Sequence, residues 1–143
     1  MVALRILADK GAAVFTITPD TTRVDAARML NDHKVGAAVV VDPVGAPVGV
    51  VSERDLTRVV AEAGASGLQR TVGEAMSRAL VTAGSGDSID RLLGLMTERR
   101  APHLITMENA AMAGLVSIGD VVKRKITEAE AEAESLKDGI EGA

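Results

Sequence analysis

Apolar and polar positions change rhythm along the chain, and the changes come in the same order twice. Ile89, Leu92, Leu93 and Met96 fall at i, i+3, i+4 and i+7, the spacing of one helix face. Ala26, Ala27 and Leu30 do the same earlier with smaller side chains. Asp20, Thr21 and Thr22 precede the first helix, and Asp87 and Ser88 the second, supplying N-cap oxygens. Each helix runs into a short apolar stretch. Ala37 to Val41 contains three consecutive valines and predicts a strand, with Leu104 to Met107 as its poorer counterpart. Turn residues follow, Asp42-Pro43-Val44-Gly45 and Glu108-Asn109-Ala110. Second strands are predicted over Pro47–Val51 and Met112–Val116, and a helix opens at the serine after each.

The clearest repeat is Gly49-Val50-Val51-Ser52-Glu53-Arg54-Asp55, which returns as Gly114-Leu115-Val116-Ser117-Ile118-Gly119-Asp120. Thr18-Pro19-Asp20-Thr21-Thr22 corresponds loosely to Ser85-Gly86-Asp87-Ser88. The unit reads strand, helix, strand, strand, helix, which predicts an α+β fold of two repeats. Residues 6–63 form the first and residues 80–126 the second. Residues 64–79 connect them, with a loop at Gly64-Ala65-Ser66-Gly67 and a short helical piece over Thr71–Met76.

Beyond Asp120 the helical pattern continues but leaves the repeat. Val122, Ile126, Ala129, Ala133 and Leu136 are spaced 4, 3, 4 and 3, a heptad-like seam that Ile140 could extend. Residues 127–143 form an acidic helical tail, in which six acids stand against Lys137 alone. A partner helix and a solvated, frayed end are both compatible with this pattern.

Composition narrows the chemistry. The net charge of −4 comes from the tail, so the chain is not a generally basic nucleic-acid binder, and the near-neutral remainder could host an anion. Absence of cysteine removes thiol catalysis, disulfides and thiolate metal sites. His33 and His103 lie in no metal-ligand spacing, and His33 reads as an exposed helix-end residue. Phe15 is the only aromatic residue, so base stacking in the manner of single-strand binders is excluded. No apolar run approaches the roughly 20 residues of a membrane span, and the first residues lack a signal-peptide pattern. The expectation is a cytoplasmic chain with no membrane partner.

The Gly–Ser–Asp element carries the candidate chemistry. A helix opening at Ser52 or Ser117 gathers free N–H groups and the positive end of the helix dipole, which suits a phosphate. The aspartate one turn on, Asp55 or Asp120, offers a carboxylate matched to ribose hydroxyls. The same Ser-x-x-Asp spacing is also that of a capping box, and a duplicated fold duplicates its caps.

Taken together, the residues resemble a tandem pair of cystathionine-β-synthase-type (CBS) domains, a Bateman module. The resemblance is carried by Thr16-Ile17-Thr18-Pro19-Asp20-Thr21-Thr22, Asp32-His33-Lys34-Val35-Gly36-Ala37 and Gly49 to Leu56 in the first copy. In the second it is carried by Leu95 to Arg100, His103-Leu104 and Gly114 to Val122. It covers roughly residues 6–126 and is similar to small stand-alone bacterial CBS-pair proteins. It implies two repeats in pseudo-two-fold symmetry plus a C-terminal helix. It further implies adenine between Thr16 to Thr18 and Val35-Gly36-Ala37, or between Thr82 and Ala101 to His103. The ribose would lie on Asp55 or Asp120, and ribose or phosphate on Ser52 or Ser117. Arg54, Arg100, His103 and Lys123 are the implied phosphate-side cations, with Lys10 a weaker one. Two departures bear on this. Pro102 stands where the family often has a basic residue before the histidine, and Gly119 replaces a charged residue before Asp120.

The function implied is a non-catalytic regulatory module sensing an adenine nucleotide (AMP, ADP, ATP or NAD(H)) in the cleft between the repeats and signalling to a regulated protein. The alternative is a structural or protein-interaction dimer module with degenerate pockets. An enzyme is disfavoured, because no nucleophile–base pair or metal cluster is visible. A homodimer is expected, with the C-terminal helix taking part.

Overall fold

The computed structural model describes residues 15–78 and 80–141. The sequence-predicted start of the first repeat, residues 6–14, and the candidate Lys10 lie outside the described residues. The described chain falls into two compact units that divide between Leu80 and Val81.

The first unit contains β1 (Thr16–Ile17), α1 (Arg23–His33), β2 (Ala37–Val41), β3 (Pro47–Ser52) and α2 (Glu53–Ala63). The sheet order is β1-β2-β3. β1 pairs parallel to β2 through the α1 crossover, and β2 pairs antiparallel to β3. Ala26, Leu30, Ala38, Val40, Val51 and Leu56 fill the core. The β2–β3 hairpin turns where Asp42 Oδ1 accepts the N–H groups of Val44 and Ala46, with Gly45 at φ +87°.

The connector is more structured than its glycines predict. Ala65–Gln69 and Val72–Glu74 are 3₁₀ turns. Arg23, buried at the start of α1, donates from Nε to the Thr71 carbonyl and from Nη1 to the Gly67 carbonyl, both at 3.0 Å. A buried guanidinium so satisfied ties the connector to α1. Val72 and Met76 enter the core, and Ser77 exchanges both backbone bonds with Val50 on the outer edge of β3. Gly49 is required there. A Cβ at that position would lie 2.5 Å from Met76 Sδ and 2.9 Å from the Ser77 carbonyl.

The second unit contains β4 (Thr82–Gly84), α3 (Ile89–Arg99), β5 (His103–Glu108), β6 (Ala111–Ser117) and α4 (Ile118–Glu141). Its sheet order β4-β5-β6 repeats the parallel and antiparallel pairings of the first unit. The β5–β6 ladder is longer than the sequence suggests. Asn109 and Ala110 both take positive φ and close a two-residue turn, so pairing reaches Glu108 and Ala111. Ile89, Leu92, Met96, Leu104, Val116 and Val121 form the core. α4 passes from the repeat into the acidic tail without a break, and Lys125 Nζ lies 3.5 Å from Asp90 Oδ1 of α3.

Candidate functional site

Both repeats build the same local arrangement at the start of their last helix. In the first, Ser52 is the N-cap of α2. Its hydroxyl accepts the Asp55 N–H at 3.3 Å, and Asp55 Oδ2 accepts the Ser52 N–H at 2.8 Å and the Ser52 hydroxyl at 3.1 Å. In the second, Ser117 Oγ accepts the Asp120 N–H at 3.1 Å, and Asp120 Oδ2 accepts the Ser117 N–H at 2.9 Å. The capping box is therefore present twice, and any ligand role of these aspartates is added to it.

The segment entering the middle strand is fastened to the same helix start. The Gly36 carbonyl accepts the Glu53 N–H at 2.9 Å, and Ala37 is the register partner of Ser52. In the second repeat the Pro102 carbonyl accepts the Ile118 N–H at 2.8 Å, and His103 is the register partner of Ser117. Pro102 thus removes a donor and a charge but keeps the carbonyl that holds this corner together. Thr16 pairs with Val39 and Thr82 with Ile105, each two residues along the middle strand from Ala37 or His103. The folded chain therefore brings Thr16, Val35, Gly36, Ala37, Ser52 and Asp55 to one end of the first sheet. Thr82, Ala101, His103, Ser117 and Asp120 gather at the matching end of the second.

Thr18 is not part of that group. Continuing the parallel register places it level with Val41, at the far end of β2 and roughly 13 Å from Ala37 along the strand. Its hydroxyl instead donates to Asp20 Oδ1 and lies 3.3 Å from Thr21 Oγ1, organising the approach to α1. That bond holds the exposed Asp20 carboxyl below the usual carboxylate range.

The cations are distributed unevenly. Arg54 is exposed on α2. The ion pair to Asp55 is made by Arg58, whose Nη2 sits 2.8 Å from Oδ1. Sequence reasoning missed Arg58, although it stands three residues after its aspartate as Lys123 stands after Asp120. Arg58 also lines a groove of about 260 Å³ with Arg23, Glu62, Arg70 and Glu74. Arg100 is exposed and caps α3 in the left-handed region at φ 50°, immediately before Ala101. Lys34 does the same for α1 at φ 54° before Val35. Lys123 is exposed one turn into α4, and His103 is half-buried. His33 is exposed at the end of α1, as expected, but its ring stacks on Phe15 with centroids 4.2 Å apart. Among the described residues no cluster of acids and histidines could hold a metal, and no helix is long and apolar enough to cross a membrane.

Known proteins share this architecture. A CBS domain-containing mitochondrial protein of Arabidopsis thaliana is 36% identical over 129 residues, covering 87% of this chain. This chain spans 63% of that relative's length. A solved CBS-domain protein from Agrobacterium tumefaciens is 41% identical with a TM-score of 0.80, covering 86% of this chain and 92% of its own. Inosine-5'-monophosphate dehydrogenase of Mycobacterium leprae matches over only 20% of its length. At lower identity, a Pyrobaculum aerophilum CBS protein complexed with AMP shares the fold at 23% identity and TM-score 0.72, covering 82% of this chain and 88% of its own. The CBS pair of another protein, solved with 5-methylthioadenosine and S-adenosyl-L-methionine, has a TM-score of 0.73 at 19% identity, with 82% and 92% covered. The family model described as CBS domain matches residues 11–62 and again residues 72–126, one match for each sheet and its helices, and the chain belongs to the CBS family as a tandem pair.

Proposed function

We propose that this chain is a non-catalytic regulatory module that binds an adenosine ligand and passes its occupancy to a partner protein. One observation carries the reading. Each repeat gathers its middle-strand entry, its Ser–Asp helix start and a threonine of its first strand at one sheet end. The similar folds solved with AMP and with S-adenosyl-L-methionine support an adenosine compound as the ligand class. Backbone groups of Val35 to Ala37 and Ala101 to His103 face the adenine edge in this reading. Asp55 and Asp120 take the ribose through the carboxylate oxygen not used in the capping box, with Arg58 displaced from Asp55 on binding. Ser52 and Ser117 support ribose or phosphate, and Arg100 and Lys123 act on the phosphate side. AMP, ADP, ATP and NAD(H) are the candidate ligands, together with S-adenosylmethionine.

Calorimetry and thermal shift with that panel test the proposal. A ligand present at 100 times its dissociation constant adds about 2.7 kcal/mol to the stability of the folded state. AMP is expected to bind more tightly than GMP, because guanine presents O6 to a backbone carbonyl. No response to any adenosine ligand, or equal affinity for AMP and GMP, refutes it.

The second reading, a protein-interaction module, is favoured by one feature. Val122, Ile126 and Leu136 are 44%, 54% and 64% exposed along one face of α4. The two readings are compatible, since a sensor needs a surface that its partner can read.

A further inference from the structure

Arg23 is a buried cation without a counter-charge. It is 6% exposed, and its guanidinium donates from Nε to the Thr71 carbonyl and from Nη1 to the Gly67 carbonyl, each at 3.0 Å. Its backbone N–H is held as well, by the Arg70 carbonyl at 2.9 Å. All three acceptors are neutral. Among the described residues the ion pairs of this unit join Arg28 to Asp25, Arg58 to Asp55 and Arg70 to Glu74, and none reaches Arg23. A buried charge is normally paired, because carbonyls satisfy its hydrogen bonds without cancelling the charge.

Nη2 is the part of this guanidinium left over. No buried side-chain nitrogen among the described residues lacks a hydrogen-bond partner, so Nη2 is not sealed in. The opening that Arg23 lines is the groove between α2 and the connector. Its apolar wall includes Val59, and Arg58, Glu62, Arg70 and Glu74 stand around it. The walls are held close. A Cβ at Gly67 would lie 2.9 Å from Val59 Cγ1 and 3.0 Å from Ala63 Cβ of α2. The same Gly67 supplies one of the carbonyls that Arg23 uses, so the guanidinium is fixed in place before anything binds it.

We propose that this groove binds a carboxylate group, which accepts from Arg23 at its floor and from Arg58 and Arg70 at its rim. Charge selects the class. Arg58 and Arg70 are balanced by Asp55 and Glu74, and the exposed Glu62 is solvated. One fixed positive charge is left unmatched, and a monoanion cancels it. A phosphate dianion would add a surplus negative charge beside Glu62 and Glu74. Shape agrees, since the two oxygens of a carboxylate can take the Arg23 Nη2 hydrogens and one rim guanidinium together. Arg58 gives one bond to Asp55 Oδ1, at 2.8 Å, and a guanidinium carries further donors that can turn to the groove. The carboxylate can belong to a free small acid or to an acidic side chain of a protein partner, and the test separates the two.

The full-length chain with isotope-labelled arginine is titrated by NMR at constant ionic strength, reading the Arg23 Nε–H resonance. That hydrogen is buried in its bond to Thr71, which slows its exchange with water. The probes are acetate, its neutral isostere acetamide, and the blocked peptide acetyl-Gly-Glu-Gly-amide. Acetate is expected to move the resonance saturably, and acetamide to leave it unmoved. Arg58→Gln with Arg70→Gln is expected to weaken acetate at least threefold. In that double variant the resonance should keep its ligand-free position, which shows that the bonds to Gly67 and Thr71 survive. A peptide that binds more tightly than acetate supports the site and assigns it to a protein partner. Acetate that binds as tightly as the peptide, or more so, supports the site and assigns it to a free acid. An unmoved resonance with both carboxylates overturns the proposal. So does an equal response to acetamide, or a double variant with unchanged acetate affinity. No nucleotide enters these titrations, so their outcome is independent of the adenosine reading.

Discussion

Lys34 and Arg100 occupy matching positions, at the ends of α1 and α3, and both sit in the left-handed region at φ 54° and 50°. For a residue with a Cβ this conformation costs about 1–2 kcal/mol, whereas glycine adopts it freely. Glycine gives back about 0.5–1 kcal/mol through the greater freedom of its unfolded chain. Lys34→Gly and Arg100→Gly are each expected to stabilise the protein by roughly 0.5–1 kcal/mol. The sites belong to different units, so their effects should add, to about 1–2 kcal/mol and a rise in Tm of about 3–6 °C. Binding should move the other way. If Arg100 donates to a ligand phosphate, losing that charged hydrogen bond costs about 1.5–3 kcal/mol, or roughly 10- to 150-fold in affinity for AMP. Adenosine, which lacks the phosphate, should bind as before. Differential scanning calorimetry and titration calorimetry on the same samples give both halves. A fall in Tm refutes the strain argument, because it means that side-chain contacts at these caps outweigh the backbone cost. Unchanged AMP affinity in a stabilised Arg100→Gly protein removes Arg100 from the site, and unfolding cannot be offered as the explanation.

Three further outcomes follow from the geometry. Asp55→Ala strips the Ser52 N–H of its acceptor and Arg58 of its ion pair, and should lower stability by about 1–2 kcal/mol in urea titration while also removing adenosine binding to the first repeat. A stability equal to the unmodified protein would mean that the capping box contributes nothing. Gly49→Ala forces a Cβ against Met76 and the Ser77 carbonyl and should cost about 1–3 kcal/mol by the same titration, with the connector losing amide protection in hydrogen exchange. The Asp20 carboxyl should titrate below its ordinary 3.8 in a carbon-detected NMR titration, and Thr18→Val should raise that midpoint. Because the folded pKa is the lower one, this bond's small contribution is present above 3.8 and lost as pH falls through the folded value.

Period and spacing carried most of the fold. The i, i+3, i+4 faces of α1 and α3, the valine run of β2 and the serine helix starts all lie where their local chemistry places them. Parallel register is a different matter. Nothing in the spacing of Thr16 and Thr18 says which of them stands nearer Ala37, since that depends on how the α1 crossover aligns β1 with β2. The resemblance groups Thr18 with the site, and for this reason the folded chain places it at the other end of the strand. Arg23 was invisible because its carbonyl partners at Gly67 and Thr71 are 44 and 48 residues away. Arg58 was legible in principle. Carrying Lys123 back through the repeat leads to it, whereas the resemblance points to Arg54. The double meaning of Ser-x-x-Asp could be read from sequence only as an alternative, and the folded chain makes the cap in both copies.

The way the connector joins the first unit changes where the chain can be cut. A fragment ending at Ala63, the last residue of α2, would carry all three strands and both helices of the first repeat. It would nonetheless lack Val72 and Met76 from its core, leave the Arg23 guanidinium buried beside missing carbonyls, and bare the outer edge of β3 that Ser77 covers. An uncovered edge strand carrying Val48, Val50 and Val51 is a template for intermolecular strand pairing. Expressed alone, such a fragment is expected to aggregate, whereas one extended to Leu80 keeps its own core and its own edge protection.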